Sequence, residues 1–130
     1  MKEEPNTILV VDDNRLNLEL VSDVLTSAGF IVRQANSGEA ALASARALPP
    51  DLILLDIGLP VMDGYAVVRA LKQDPVTRDI IAVALTAFAM PEDEIRARDA
   101  GFDGYISKPV HTRSLADTLA RLLHGRSRSS

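Results

Sequence analysis

The chain has 130 residues, 47% of them apolar and 25% charged, enough for one domain with a buried core. Its formal net charge of −4, from 14 basic and 18 acidic residues, argues against a dominant surface for nucleic-acid phosphates. There is no cysteine, hence no disulfide framework and no thiolate metal site, and the cytosol suits this composition. The opening MKEEPNTILVV lacks a basic segment followed by a long apolar run, so no secretory signal is expected. The stretch IIAVALTAFAM at 80–90 is too short to cross a bilayer, and no membrane insertion is expected.

Residues 1–6 are polar and expected to be flexible; 7–124 form the domain, and the tail from 125 to 130 is expected to be disordered. ILVV at 8–11 is a continuous apolar run that ends at Asp12 and Asp13. A helix follows, with Leu16, Leu20, Val21, Val24 and Ala28 at helical spacing and Gly29 at its end. FIVRQA at 30–35 reads as a second strand. Asn36 and Glu39 form a capping-box-like start for the helix EAALASARAL, which Pro49 and Pro50 terminate. DLILLD at 51–56 is the third strand, and Asp63 and Gly64 open a helix through about residue 72. IIAVALT at 80–86 is the fourth strand; Pro91 suits the first turn of the helix PEDEIRARDA, and Gly101 its end. GYIS at 104–107 is the fifth strand, and Thr112 or Arg113 starts a last helix with Leu115, Leu119, Leu122 and Leu123 on one side.

This is an α/β pattern, strand and helix repeated five times. Continuously apolar strands are those of a parallel sheet covered on both faces. With right-handed crossovers, the flavodoxin-like order 2-1-3-4-5 is the natural arrangement. Such sheets bind ligands outside the carboxyl ends of their strands. Here those ends carry Asp12 and Asp13, Asp56 and Thr86, with Lys108 directly after the fifth strand. Any one of these polar groups would serve as a strand cap; their convergence on one edge is what points to a site. Two like charges held 4 Å apart repel by ~4 kcal/mol at an effective dielectric of 20. Three carboxylates in one crevice therefore need compensation, which a dication and Lys108 together supply. Oxygen-only ligands favour Mg²⁺, with Mn²⁺ as the alternative, and the absence of nearby His or Cys argues against Zn²⁺. A carboxylate beside such an ion can act as nucleophile on a phosphoryl group, and Asp56, with Gly58 behind it, is the best-placed candidate.

The set ILVVDDN, DLILLDIGLPVMDG, VALTAFA and YISKP resembles the receiver domain of bacterial response regulators over residues 7–123. The resemblance implies the flavodoxin-like fold and a phosphoryl group donated by a sensor histidine kinase or a histidine phosphotransfer protein. It implies Asp56 as acceptor, Asp12 and Asp13 as the acidic metal pair, and the Gly58 backbone carbonyl as a further ligand. It also implies Thr86 as the switch hydroxyl, Lys108 as the phosphate-binding lysine and Tyr105 as the switch aromatic. Gly58 and Phe88 fall where the family tunes the lifetime of the phosphoryl group; Ala87 is small and leaves access to the site, and because Gly58 supplies no side chain to position an attacking water, unexceptional or slow dephosphorylation is expected. The output implied is a protein contact through the fourth helix, fifth strand and fifth helix, with a phosphorylation-dependent dimer as one form of it. The stretch from Leu85 to Pro109 resembles single-domain DivK-like regulators and the receivers of hybrid histidine kinases, so an excised receiver is the alternative origin.

Two other classes compete. An Asp-nucleophile phosphatase would want a second Asp two residues after the nucleophile, where Gly58 stands. A flavodoxin-like flavin carrier would want hydroxyls in its first loop, where Asp12 and Asp13 would repel a phosphate. On the first helix, Leu18 and Leu25 lie off the main stripe, and read either as a wider buried face or as an exposed docking patch. The helix PEDEIRARDA has only Ile95 and alanines as apolar anchors; His111 and His124 read as surface residues.

Overall fold

The computed structural model describes residues 5–59, 62–86, 91–107 and 112–129. Expectations that fall on Pro60, Ala87, Phe88, Lys108, Pro109 and His111 lie outside these. Strands β1 (Thr7–Val11), β2 (Ile31–Ala35), β3 (Leu52–Asp56), β4 (Ile81–Thr86) and β5 (Gly104–Ser107) alternate with helices α1 (Arg15–Ser27), α2 (Gly38–Ala47), α3 (Gly64–Gln73), α4 (Pro91–Ala100) and α5 (Thr112–Ser129). The sheet is parallel throughout, in the order β2-β1-β3-β4-β5. This is the expected flavodoxin-like receiver fold.

The sheet divides the core in two. On one face, Ile8, Val10, Leu54, Val83 and Leu85 pack with Leu18, Val21 and Leu25 of α1 and Leu115, Leu119 and Leu123 of α5. On the other, Leu9, Val11, Ile53, Leu55, Ala82 and Ala84 meet α2, α3 and α4. β1, β3 and β4 are buried along almost their whole length because helices cover both sides. Alternation along β4 turns Ile81, Val83 and Leu85 to the α1/α5 side and Ala82 and Ala84 to the α4 side.

Local chemistry explains the helix boundaries. The Asn14 side chain accepts from Asn17 N at the start of α1, and Asp63 accepts from Ala66 N at the start of α3. At α2 the cap is Ser37, which accepts from Ala40 N; this corrects Asn36, one residue earlier. α1 and α4 end alike. Gly29 (φ 101°) and Gly101 (φ 121°) take the left-handed conformation. Phe30 N donates to Leu25 O, and Phe102 N donates to Ala97 O. Gly29 N to Thr26 O and Gly101 N to Arg98 O complete two Schellman motifs. α5 continues to Ser129, past the boundary expected at 124; each added residue of a formed helix gains a backbone bond at little further cost.

Two apolar assignments change. α1 buries Leu18, Val21, Ser22 and Leu25, whereas Leu16 is 78% and Leu20 51% exposed. Leu18 and Leu25 are therefore core, and the expected stripe through Leu16 and Leu20 faces solvent. Gln34 of β2 donates to the Ser22 hydroxyl, which satisfies that polar group beneath the helix. Ile95 is 59% exposed and does not anchor α4; Ala97 and Ala100 are the buried side chains of that helix. His124 is exposed, as expected.

Candidate functional site

The carboxyl ends of β1 and β3 lie side by side, since Val11 pairs with Leu55. This brings Asp12, Asp13 and Asp56 together, with one carboxylate oxygen of each within 4.8 Å of the others. Asp12 and Asp56 are buried, and Asp13 is exposed. The Asp12 main-chain N–H donates to Ala35 O, which continues the β1–β2 ladder past the last strand residue. Its Oδ1 accepts from Asn14 N at 2.9 Å, so the carboxylate is fixed by the turn that starts α1. Asp56 is fixed in the same way, its Oδ1 accepting from Gly58 N at 2.9 Å.

Gly58 holds Asp56 by its amide, a contact that residue identity alone did not disclose. The glycine is not required there by backbone conformation: its φ is outside the left-handed region, and an added Cβ would meet Asp56 Oδ1 at an ordinary 3.6 Å. Gly64 is different. A Cβ there would stand 2.7 Å from Ile57 Cα and 3.0 Å from the Asp56 carbonyl oxygen. Gly64 N also donates to Ile57 O. The start of α3 thus rests directly on the backbone that carries Asp56, and only a residue without a side chain permits that approach.

Thr86 closes the next strand. Asp56 pairs with Leu85, and Ile57 N donates to Leu85 O, so the end of β4 runs beside the end of β3. Thr86 is buried and shares a side-chain hydrogen bond with Tyr105. Tyr105 pairs with Ala84, and its half-buried ring packs on the α4-side core. Burial raises the Tyr105 pKa above the ordinary tyrosine value; Asp93, Tyr65 and Glu94 push the same way, and the Thr86 bond pulls it down. Tyr65 is also raised, by burial first, with Arg96 opposing. Its ring lies edge-on to Phe102, centroids 6.3 Å apart. Of the expected site residues, the structure brings together Asp12, Asp13, Asp56, Gly58 and, one strand further, Thr86 with Tyr105. Lys108 lies outside the described residues.

Three carboxylates with no sulfur or imidazole among them form a hard, oxygen-only donor set. Such a set fits Mg²⁺, which takes a few carboxylates and leaves positions for water and phosphate oxygens. Asp12 and Asp56 are buried like charges, costly to hold this close to each other and to Asp13 without the compensation that a bound cation would supply.

The sequence matches the response regulator receiver domain over residues 8–120. The chain belongs to that family. It is a phosphoacceptor switch of two-component signalling, its phosphodonor a histidine kinase, with an acidic pocket for Mg²⁺-dependent phosphorylation. Among characterised relatives, it is 40% identical over 119 residues to the polar-differentiation response regulator DivK of Brucella anthropi, covering 92% of this chain and 97% of that one. DivK of Brucella ovis is 41% identical over 117 residues, with 90% and 95% covered. A CheY-like receiver domain protein from Methanospirillum hungatei superposes with a TM-score of 0.89 at 27% identity, over 97% and 99% of the two chains. The receiver domain of a Pseudomonas aeruginosa sensor histidine kinase, solved with a magnesium ion coordinated in its active-site cleft, gives 0.85 at 33% identity, over 92% and 98%.

Proposed function

We propose that Asp56 is the phosphoacceptor, with Asp12, Asp13 and the Gly58 carbonyl holding Mg²⁺ beside it, and that Thr86, Lys108 and Tyr105 convert phosphorylation into a changed protein surface. The observation that carries this reading is the cluster of three carboxylate oxygens within 4.8 Å at the ends of two adjacent strands. In the transfer, a carboxylate oxygen of Asp56 attacks the phosphorus of a phosphohistidine. The new P–O bond forms as the P–N bond breaks, and the imidazole leaves and takes up a proton. When bound, Mg²⁺ neutralises charge on the carboxylates and on the phosphoryl oxygens. Asp12, Asp13 and the Gly58 carbonyl would hold the ion. The Gly58 amide keeps Asp56 from rotating away. The Thr86 hydroxyl and the Lys108 ammonium meet the phosphoryl oxygens once they are in place.

Thr86 also bonds Tyr105, so its reorientation toward a phosphoryl group is felt at the fifth strand. The surface that then changes is α4, β5 and α5; between α4 and β5 it already holds a cavity of about 130 Å³ lined by Glu94, Ala97, Arg98, Phe102, Asp103, Gly104 and Tyr105. A downstream protein, or a second phosphorylated copy, would read this face. On this reading the protein works in the cytoplasm, where kinases make phosphohistidine from ATP. The test is intact-mass measurement after incubation with acetyl phosphate and Mg²⁺. One added phosphoryl group is expected, absent from Asp56→Asn and from a chelated sample. An adduct that survives Asp56→Asn would overturn the assignment.

A further inference from the structure

α4 is held in an unusual way. Its buried side chains are two alanines, and its one large aliphatic residue, Ile95, faces solvent. Its C-terminal end is fixed: the Schellman motif at Gly101 closes it, and Asp103 just beyond accepts from both Lys72 Nζ (3.2 Å) and Ala82 N (2.9 Å). Nearer the middle, the Arg96 guanidinium carbon lies 4.3 Å from the centre of the Tyr65 ring. Tyr65 belongs to α3, is buried, and follows Gly64, the residue pressed against the Asp56 backbone.

We propose that the Arg96–Tyr65 stack is a catch that keeps α4 seated on α3, so that α4 swings about its fixed C-terminal end when the catch is loosened. The catch runs in parallel with the Thr86–Tyr105 pair. It ties α4 to the element whose first residue touches the acceptor strand. As a role in switching, it rests on the phosphoacceptor reading above; as a contact holding α4, it does not. The electrostatic surroundings agree with it. Asp93 of α4 acts on both Tyr65 and Tyr105, and Glu94 acts on Tyr105, so α4 carries charges near both rings besides Arg96.

The geometry separates charge from bulk. Arg96→Lys keeps a cation over the ring, and Arg96→Met keeps a long stem without one. Tyr65→Phe keeps the aromatic face, and Tyr65→Leu removes it. Hydrogen exchange of the α4 amides in the unphosphorylated protein is the readout, with β3 amides as the internal standard. Arg96→Met is expected to speed exchange in residues 95–97, the first α4 amides with acceptors inside the helix, about two- to fivefold, the range an exposed cation–π contact supports, while β3 exchange stays unchanged. Arg96→Lys and Tyr65→Phe should stay near the parent, and Tyr65→Leu, which also removes the buried ring beside Phe102, should speed α4 exchange at least as much as Arg96→Met. Equal α4 exchange in Arg96→Met and the parent overturns the proposal, and so does an increase spread evenly over β3. Arg96 is exposed, so its variants remain informative even if Tyr65→Leu fails to fold. Intact mass after acetyl phosphate treatment of the same samples reads phosphorylation separately. A missing adduct with the exchange difference present faults the acceptor assignment and leaves the catch standing.

Discussion

Gly64 and Gly58 sit on either side of one loop and carry opposite demands. At Gly64 a methyl group would meet backbone at 2.7 Å, and backbone cannot turn aside as a side chain does. Gly64→Ala should therefore lower the stability measured by urea unfolding by about 1–3 kcal/mol, as overpacking does. Gly58→Ala, whose new methyl makes an ordinary contact, should stay within about 0.5 kcal/mol of the parent. Equal losses at both would show that the loop, and not the seat of α3, sets the cost. The tyrosines give a second test. The chain has only two, Tyr65 and Tyr105, and both are raised above the ordinary tyrosine pKa, chiefly by burial. An ultraviolet titration should accordingly show both phenol midpoints above the ordinary value while the fold persists. A raised folded pKa means that the unfolded chain releases its proton first. Tyrosine ionisation therefore leaves stability untouched below the ordinary pKa and erodes it as pH climbs through the raised values.

The elements show where sequence reading succeeds and where it stops. β1, β3 and β4 were legible because continuous apolar runs between turn signals leave little else to form, β2 and β5 because they fill the strand places in the strand–helix alternation, and the shared edge followed from the crossover rule. The acidic cluster was legible for the same reason: three Asp residues at strand ends are sent to one edge. The face of α1 was not. Leu16, Leu20, Val21, Val24 and Ala28 make one stripe at helical spacing, and Leu18, Val21 and Leu25 make another. Which one meets the sheet depends on how the Asn14 cap aims the helix, and on Gln34 being able to satisfy the buried Ser22. The seat of Gly64 was equally hidden, since it involves backbone from a different element. These faces are separable by mutation. Leu25→Ala, at a fully buried site, should cost about 2–5 kcal/mol in urea unfolding, and Leu16→Ala about 0.5 or less. If the exposed Leu16 and Leu20 form the surface met by the phosphodonor, Leu16→Asp should slow transfer from a phosphohistidine protein and leave acetyl phosphate reactivity unchanged. Slowing with both donors would instead mean a damaged site.

For the molecule as a whole, the acidic pocket couples ion binding to folding. The three carboxylates are gathered only in the folded chain, so an ion that binds them stabilises the native state by mass action. At a free Mg²⁺ concentration 100 times the dissociation constant, the gain is about 2.7 kcal/mol. Thermal unfolding should thus move up with added Mg²⁺ and return with a chelator. Asp13→Asn should reduce the movement, because it removes one of the three charges without disturbing the buried pair. A midpoint indifferent to Mg²⁺ in the parent would argue against the pocket as a cation site.

The division of the core has a mechanical meaning. The buried alanines lie on the side of α2, α3 and α4, while the core shared by α1 and α5 is built from larger branched residues. Small side chains interlock shallowly and leave clearance for one helix to slide; large ones mesh and resist. On the first side the contrast is sharpest at α4, whose buried side chains are Ala97 and Ala100, whereas α2 and α3 add Leu42, Tyr65 and Leu71. On the phosphoacceptor reading, a change at the end of β3 would therefore meet its shallowest packing at α4, and α4 is the element expected to give way first.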